Sequence, residues 1–213
     1  MMKRNLLFAM ALMLSLVGWA QSAKTLPSLH VEGKWLVDTY GNHVVLHGVM
    51  DTPSAYFNGG RWGWNYDANG AQNCVAYFEK LFTGLEKANC DVFRLHLDPA
   101  WTNSNSVTAA GFTSKEVVEN GKTVTKYYDP IGQEVSGEAN IMHFSAKRLS
   151  TYMKSVYVPI MKKAMNHGMY VVVRPPGVCP HEIRVDGYYQ KYLMEVWDSV
   201  SKNKTIYLQH GHH

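Results

Sequence analysis

Residues 91–101 read DVFRLHLDPAW, and this stretch has the pattern of a strand that borders a polar site. Side chains alternate between the two faces of a strand, so every second residue lies on the same side. One face carries Val92, Arg94, His96 and Asp98. The other carries Phe93, Leu95 and Leu97. An apolar face opposite a charged one predicts a strand that packs on a core and presents functional groups near its carboxyl end.

The sequence before this stretch predicts a hairpin, a strand and a helix. Residues 30–49 contain two short alternating segments around TYGN, which predict a hairpin that leads into a strand near 43–49. Residues 73–88 place apolar side chains at helical spacing, with Asn73 as the expected N-cap. The strand at 91–101 follows this helix directly.

The sequence after it repeats the alternation of helix and strand. Residues 144–166 predict a long amphipathic helix, kinked at Pro159 and ended by Gly168. The apolar run at 169–176, MYVVVRPP, predicts a parallel strand buried on both faces. Helical spacing returns over 186–200. The order strand, helix, strand, helix, strand, helix predicts an α/β fold with parallel strands and crossover helices.

A long polar connection separates the strand at 91–101 from the next helix. Residues 102–140 are rich in Asn, Ser, Thr and Gly, and they contain a predicted small hairpin around ENGK. A connection of this length is more often a functional surface loop than a core element.

Composition indicates one globular domain rather than a nucleic-acid-binding or disordered chain. The chain has 213 residues, of which 46% are hydrophobic and 18% charged. Its net charge is +4, or about +2 once Lys3 and Arg4 are removed with a leader, so it has no basic stripe for nucleic acid.

The first residues predict export from the cytoplasm. A basic start, an apolar run from Leu6 to Val17 and small residues near Ala23 are typical of a signal peptide over residues 1–23. The apolar run is shorter than the roughly 20 residues that a membrane span needs. We therefore expect a secreted chain, residues 24–213, with no membrane association after cleavage.

Cysteine usage predicts neither a disulfide scaffold nor a metal site. Three cysteines, Cys74, Cys90 and Cys179, cannot all pair within the chain, so at least one thiol is expected to be free. Cys179 and His181 resemble half of a metal site, but no second pair stands at suitable spacing, which favours a loop. A metal site in the terminal QHGHH is the weaker interpretation.

Polar residues follow each of the three predicted strands, over 46–53, 93–101 and 173–182. Reactive groups of α/β barrels lie where strands end. One interpretation makes Arg94 and Asp98 an internal ion pair, with His96 a satisfied core group. The other places all three at a site, where Arg94 holds a carboxylate.

Aromatic residues gather in the same loops. They are Tyr56, Phe57, Trp62, Trp64 and Tyr66 after the first strand, and Trp101 after the second. Flat apolar rings with nearby hydrogen-bond donors suit sugar rings, although loop packing explains any single one. Together with export, they favour a carbohydrate cleft.

Four segments resemble glycoside hydrolase family 5, in its secreted cellulase branch. They are WLVDTYGNHVVLHGV, CDVFRLHLDPAW, HGMYVVVRPPG and the long helix before the last of these, within about residues 30–203. The resemblance implies the first three strand and helix units of a (β/α)8 barrel that cleaves β-1,4 links of glucans with retention, using two glutamates and no cofactor. Arg94 matches the arginine that orients the nucleophile in this family.

Several positions depart from the family pattern. Met50 stands where the first strand often ends in asparagine, and Pro175 and Pro176 stand where the third often has a tryptophan and a histidine. His181 is a candidate for that imidazole. Contacts to sugar are further expected from Asp51, His96, Asp98, Trp101, Trp62 and Trp64.

Neither catalytic glutamate of the family has a match here. The chain lacks the Asn-Glu-Pro motif, and neither Glu182 nor Glu195 matches the acid/base or nucleophile position. A complete barrel takes about 250 residues. We therefore expect an amino-terminal piece of a longer enzyme, lacking the rest of the barrel and inactive alone. A non-catalytic carbohydrate-binding protein, an inert fragment, and mannan or xyloglucan as substrate remain alternatives.

Overall fold

The fold begins with an antiparallel hairpin. The computed structural model describes residues 26–54, 65–104, 106, 108, 111–135, 141–174 and 187–202. Strands β1 (Leu29–Glu32) and β2 (Trp35–Asp38) pair around Gly33, which has a positive φ of 59°. The predicted turn at TYGN exists, but it does not close the hairpin. Its backbone amides at Tyr40 and Asn42 donate to the Asp38 carboxylate at 2.8 and 2.9 Å, and only an isolated bridge between Val37 and His43 continues the pairing.

Three parallel strands form the central sheet. In chain order the elements are β3 (Gly48–Asp51), α1 (Ala68–Lys87), β4 (Val92–His96), β5 (Thr113–Glu119), β6 (Lys122–Tyr128), β7 (Glu134–Val135), α2 (Ala146–Tyr152), α3 (Val158–Asn166), β8 (Tyr170–Arg174) and α4 (Tyr188–Ser201). Strand β4 is central, with β3 and β8 on either side, and both pairings are parallel. The predicted α/β class and the parallel order are confirmed.

The N-cap of helix α1 lies six residues before the predicted one. The side chain of Asp67, not that of Asn73, caps it by accepting a hydrogen bond from the Gly70 amide at 2.7 Å. Asn69 and Gly70 in the first turn are poor helix formers, which is why apolar spacing alone placed the start too late. The buried side of the helix includes Phe78 and Phe82.

The predicted helix over 144–166 is divided into two helices by a wider turn. Ser145 caps α2, and residues Met153–Tyr157 form a π-helical turn before α3. Pro159 has no N–H to donate and its ring crowds the preceding turn, so a π turn directly before it fits its chemistry. Gly168, with a φ of 76°, follows the end of α3 as predicted.

The two faces of the central sheet are covered differently. Phe93 and Leu95 of β4 are fully buried in the core that α1 and α3 complete. On the opposite face, the side chains of Met50, Arg94 and Val172 share one register row and are all exposed. We call this second surface the open face. The prediction that β8 is buried on both faces is therefore wrong, because no helix or strand covers the open face among the described residues.

The long connection after β4 contains its own small sheet. Strands β5 and β6 pair across Asn120 and Gly121, whose φ values of 51° and 74° suit a tight two-residue turn. This confirms the predicted hairpin at ENGK, and β7 adds a short third strand.

The predicted signal peptide, residues 1–23, lies outside the described residues. Among the helices that the structure describes, none combines the length and the apolar character that a membrane crossing requires.

Candidate functional site

A row of three hydrogen-bonded side chains lies at the carboxyl ends of the parallel strands. Thr52 Oγ1 is 3.0 Å from His96 Nδ1, and Arg174 Nη1 is 2.7 Å from His96 Nε2. His96 and Arg174 are register partners at the ends of β4 and β8, and Thr52 directly follows β3. We call this set the polar row.

The donors of the polar row determine the form of its histidine. A guanidinium has only donors, so His96 Nε2 accepts the bond from Arg174. His96 Nδ1 then carries the proton and donates it to Thr52 Oγ1. His96 is 3% exposed, and in this arrangement it is a neutral imidazole that links its neighbours. Both ring nitrogens are used in holding Thr52 and Arg174 in place.

Asp98 is held by donors other than an arginine. Its carboxylate accepts from the Tyr66 hydroxyl at 2.7 Å and from the Ala100 amide at 3.0 Å, where it caps a 3₁₀ turn at Pro99–Trp101. Asp98 is 8% exposed. The interpretation of an Arg94–Asp98 ion pair is wrong, because none of the ion pairs between described residues joins these two side chains.

Arg94 lies on the open face, two residues before His96 in β4. Its side chain is exposed, and Nη1 is 3.7 Å from the Met50 sulfur. Within the described part of the chain, no carboxylate pairs with it. As far as the described residues go, the guanidinium can pair with an anionic group.

Asp51 lies on the other face of the sheet from the polar row. It pairs in register with the buried Leu95, and its Oδ2 accepts a hydrogen bond from the Tyr77 hydroxyl of α1 at 3.0 Å. This carboxylate therefore joins the sheet to the helix, and the structure does not bring it to the side where Arg94 and His96 lie.

Trp101 is part of the core beneath the site. It is 5% exposed, it stacks on Tyr152 at 5.6 Å, and it meets Tyr66 edge-on at 5.0 Å. Its indole N–H donates to the Pro53 carbonyl. These contacts favour a structural role over that of a surface on which a sugar stacks. Trp62, Trp64 and His181 lie outside the described residues.

The buried hydroxyl of Tyr157 and the buried thiol of Cys74, both in the hydrophobic core, stay protonated. Burial raises the pKa of Tyr157, whose hydroxyl donates to the Leu95 carbonyl at 3.0 Å. Burial also raises the pKa of Cys74, and the charges of Asp51 and Asp98 add to this effect. Cys74 is a free thiol, so the prediction of an unpaired cysteine is confirmed. A buried thiol with a raised pKa is a poor nucleophile.

Thr52 and Arg174 are residues of the site that the sequence interpretation missed. Both stand where a strand ends, and Arg174 follows three valines, so it was assigned to the strand that those valines define. The signal that identifies them is register, because parallel strands bring their carboxyl ends to one edge of the sheet.

Among the residues that the structure describes, no pair of carboxylates at this site matches the pair that a retaining glycosidase needs. Glu195 is exposed on α4, and Glu182 lies outside the described residues. Among the described residues, no three His, Cys, Asp or Glu side chains are grouped so that they could hold a metal ion. Comparisons of the chain with protein-family models, with curated proteins and with solved structures found no match.

Proposed function

We propose that this chain is the amino-terminal part of a secreted glycoside hydrolase barrel, and that it binds a β-1,4-linked glycan at the carboxyl ends of its parallel strands. The observation that carries the proposal is the polar row, Thr52, His96 and Arg174, at that edge of the sheet. Enzymes with barrels of alternating strands and helices place their sites at this edge.

The open face supports the barrel. Met50 and Val172 are 55% and 46% exposed on it, although the apolar side chains of parallel sheets are normally covered on both faces. In a closed barrel this face becomes the interior, and further strands cover it. Under this proposal Arg94 points into that interior and orients a catalytic carboxylate.

The position of the hairpin also supports this orientation. The Tyr170 hydroxyl, at the first residue of β8, donates to the Pro27 carbonyl at 2.6 Å. The segment that leads into β1 therefore lies at the amino end of the sheet. The carboxyl end, with the polar row, remains for a substrate.

Native affinity electrophoresis tests the binding part of the proposal. We expect hydroxyethyl cellulose in the gel to retard the folded chain, with galactomannan and xyloglucan as parallel gels for the alternative substrates. Thr52→Val removes one hydrogen bond of the polar row and is expected to reduce the retardation. Lys154→Gln, an exposed position on the π turn, is the control that leaves it unchanged.

A reducing-sugar assay tests the catalytic part. We expect no sugar release by this chain alone, because neither Glu182 nor Glu195 matches the acid/base or nucleophile position of the family that the sequence resembles. Sugar release by this chain would contradict that expectation, and release that Arg94→Ala leaves unchanged would also contradict the role assigned to Arg94. Absence of retardation in all three gels, for a chain with native helical circular dichroism, would contradict the proposed binding.

A further inference from the structure

The guanidinium of Arg174 is held in place but lacks a counter-ion among the described residues. We propose that it binds the carboxylate of an acidic sugar, so that the glycan of this site carries uronic acid residues. The inference rests on the proposed glycan site and specifies the chemical class of its ligand.

The polar row fixes the orientation of Arg174. Its Nη1 donates to His96 at 2.7 Å, and His96 is in turn held by Thr52 at 3.0 Å. A guanidinium has five N–H donors, and this bond uses one of them. The remaining donors form a fork that matches the two oxygens of a carboxylate. Arg174 is only partly buried, so a ligand can reach it.

The charged side chains of the open face favour binding of an anion. Arg94 lies on the neighbouring strand, two residues before His96 and on the same face. Neither arginine forms an ion pair with a carboxylate of the described residues. Asp98 lies near the buried Cys74 and Tyr152, and its carboxylate already accepts hydrogen bonds from Tyr66 and Ala100. Within the described part of the chain, Arg94 and Arg174 therefore have no carboxylate partner, and they give the open face an excess of positive charge.

A neutral glucan does not account for this excess. A hydroxyl group of a neutral sugar can accept a hydrogen bond from a guanidinium, but it does not neutralise the charge, and a partly buried charge without a counter-ion is costly. A carboxylate at C6 of the sugar supplies the missing charge with two acceptor oxygens. If Arg94 serves a catalytic carboxylate, Arg174 remains the residue available for a uronate.

Two matched oligosaccharides test this inference. A β-1,4-linked oligoglucuronate and a cello-oligosaccharide of equal length differ only in carboxylate against hydroxymethyl at C6. Isothermal titration of the full chain is expected to give at least about tenfold tighter binding of the oligoglucuronate at low salt, with the difference falling as salt rises. Arg174→Gln is expected to remove this preference, and Arg174→Lys to keep part of it.

Controls distinguish this inference from the proposed function. Lys154→Gln removes the same charge at a distant exposed position and is expected to preserve the preference. If both oligosaccharides bind equally and Arg174→Gln changes neither, the uronate inference is overturned while the glycan site stands. If neither oligosaccharide binds but free glucuronate does, and does so through Arg174, the proposed glycan function is overturned and the carboxylate site stands. Absence of all binding overturns both.

Discussion

The two faces of the parallel sheet contrast in what covers them and in what they carry. On the helix side, Phe93 and Leu95 are completely buried, and Phe82 lies 4.9 Å from the Phe93 ring. On the open face, Met50 and Val172 are about half exposed and surround Arg94. The covered face provides the apolar burial that stabilises this chain, whereas the open face provides the polar groups on which a function can be built.

The largest expected effect is on the covered face. Phe93→Ala removes a ring that packs against Phe78 and Phe82, and we expect it to lower the free energy of unfolding by about 3–5 kcal/mol. Val172→Ala, on the open face, is the matched control and is expected to cost less than about 1 kcal/mol. Urea denaturation followed by circular dichroism measures both.

The contrast between these two variants tests the assignment of the faces. Equal costs for Phe93→Ala and Val172→Ala would mean that the open face is covered in solution, by another copy or by a part of the chain outside the described residues. A concentration-dependent midpoint would identify association between copies as the reason.

A second effect concerns the helices that cover the apolar face. His167 Nδ1 is 2.7 Å from Glu86, and its Nε2 is 3.0 Å from Glu79, which also pairs with Lys163. Burial opposes protonation of His167, but the hydrogen bonds to Glu86 and Glu79 outweigh it and raise its pKa above the usual 6.5. The protonated histidine therefore ties α1 to the end of α3.

The sign of the pH dependence follows from this raised pKa. The stabilisation is complete below about pH 6.5, where the unfolded histidine is protonated too, and it is lost as the pH rises through the higher pKa of the folded state. We expect His167→Gln to lower the free energy of unfolding by about 1–2 kcal/mol at pH 6. The variant is also expected to lose the part of the decrease in stability with rising pH that the histidine causes. Urea midpoints from pH 6 to 9 measure it. An unchanged pH profile in the variant would exclude the histidine as its source.

Much of the fold could be predicted because it depends on local patterns. A pattern within a few residues predicts each of three elements. These patterns are the apolar spacing of α1, the Asn-Gly pair at 120–121 and the alternation in β4. The errors arose where a side chain satisfied the backbone better than the pattern suggested. Asp38 accepts the amides of its turn, and Asp67 caps a first turn that contains glycine.

The site was harder to predict because it depends on register between strands distant in sequence. The alternation in β4 places His96 on the same face as Arg94, but Arg174 reaches His96 across 78 residues. Asp51 follows the same kind of apolar run, yet register turns it toward Tyr77 of α1. A single sequence does not state which residue of one strand lies beside which residue of another.

A third effect concerns the first turn of the helix that covers the sheet. Asp67→Ala removes the acceptor of the Gly70 amide and is expected to cost about 1 kcal/mol. Asn73→Ala, at the N-cap that sequence alone predicted, lies within the helix and is expected to be neutral or slightly stabilising. Chemical denaturation of both variants decides between Asp67 and Asn73 as the N-cap. A larger loss of unfolding free energy in Asn73→Ala would favour the later start of the helix.

The smallest expected effect on stability is at the centre of the open face. Arg94→Gln removes an exposed charge whose one described contact is the Met50 sulfur, so we expect the free energy of unfolding to change by no more than about 0.5 kcal/mol. The affinity for an anion should fall far more, because this guanidinium contributes to the positive charge of the open face. Titration with the oligoglucuronate beside urea denaturation separates the two quantities. A residue that matters for packing shows its effect in unfolding, whereas a residue that matters for a ligand shows its effect in affinity. A large loss of stability with unchanged binding would therefore assign Arg94 to the fold and exclude it from the site.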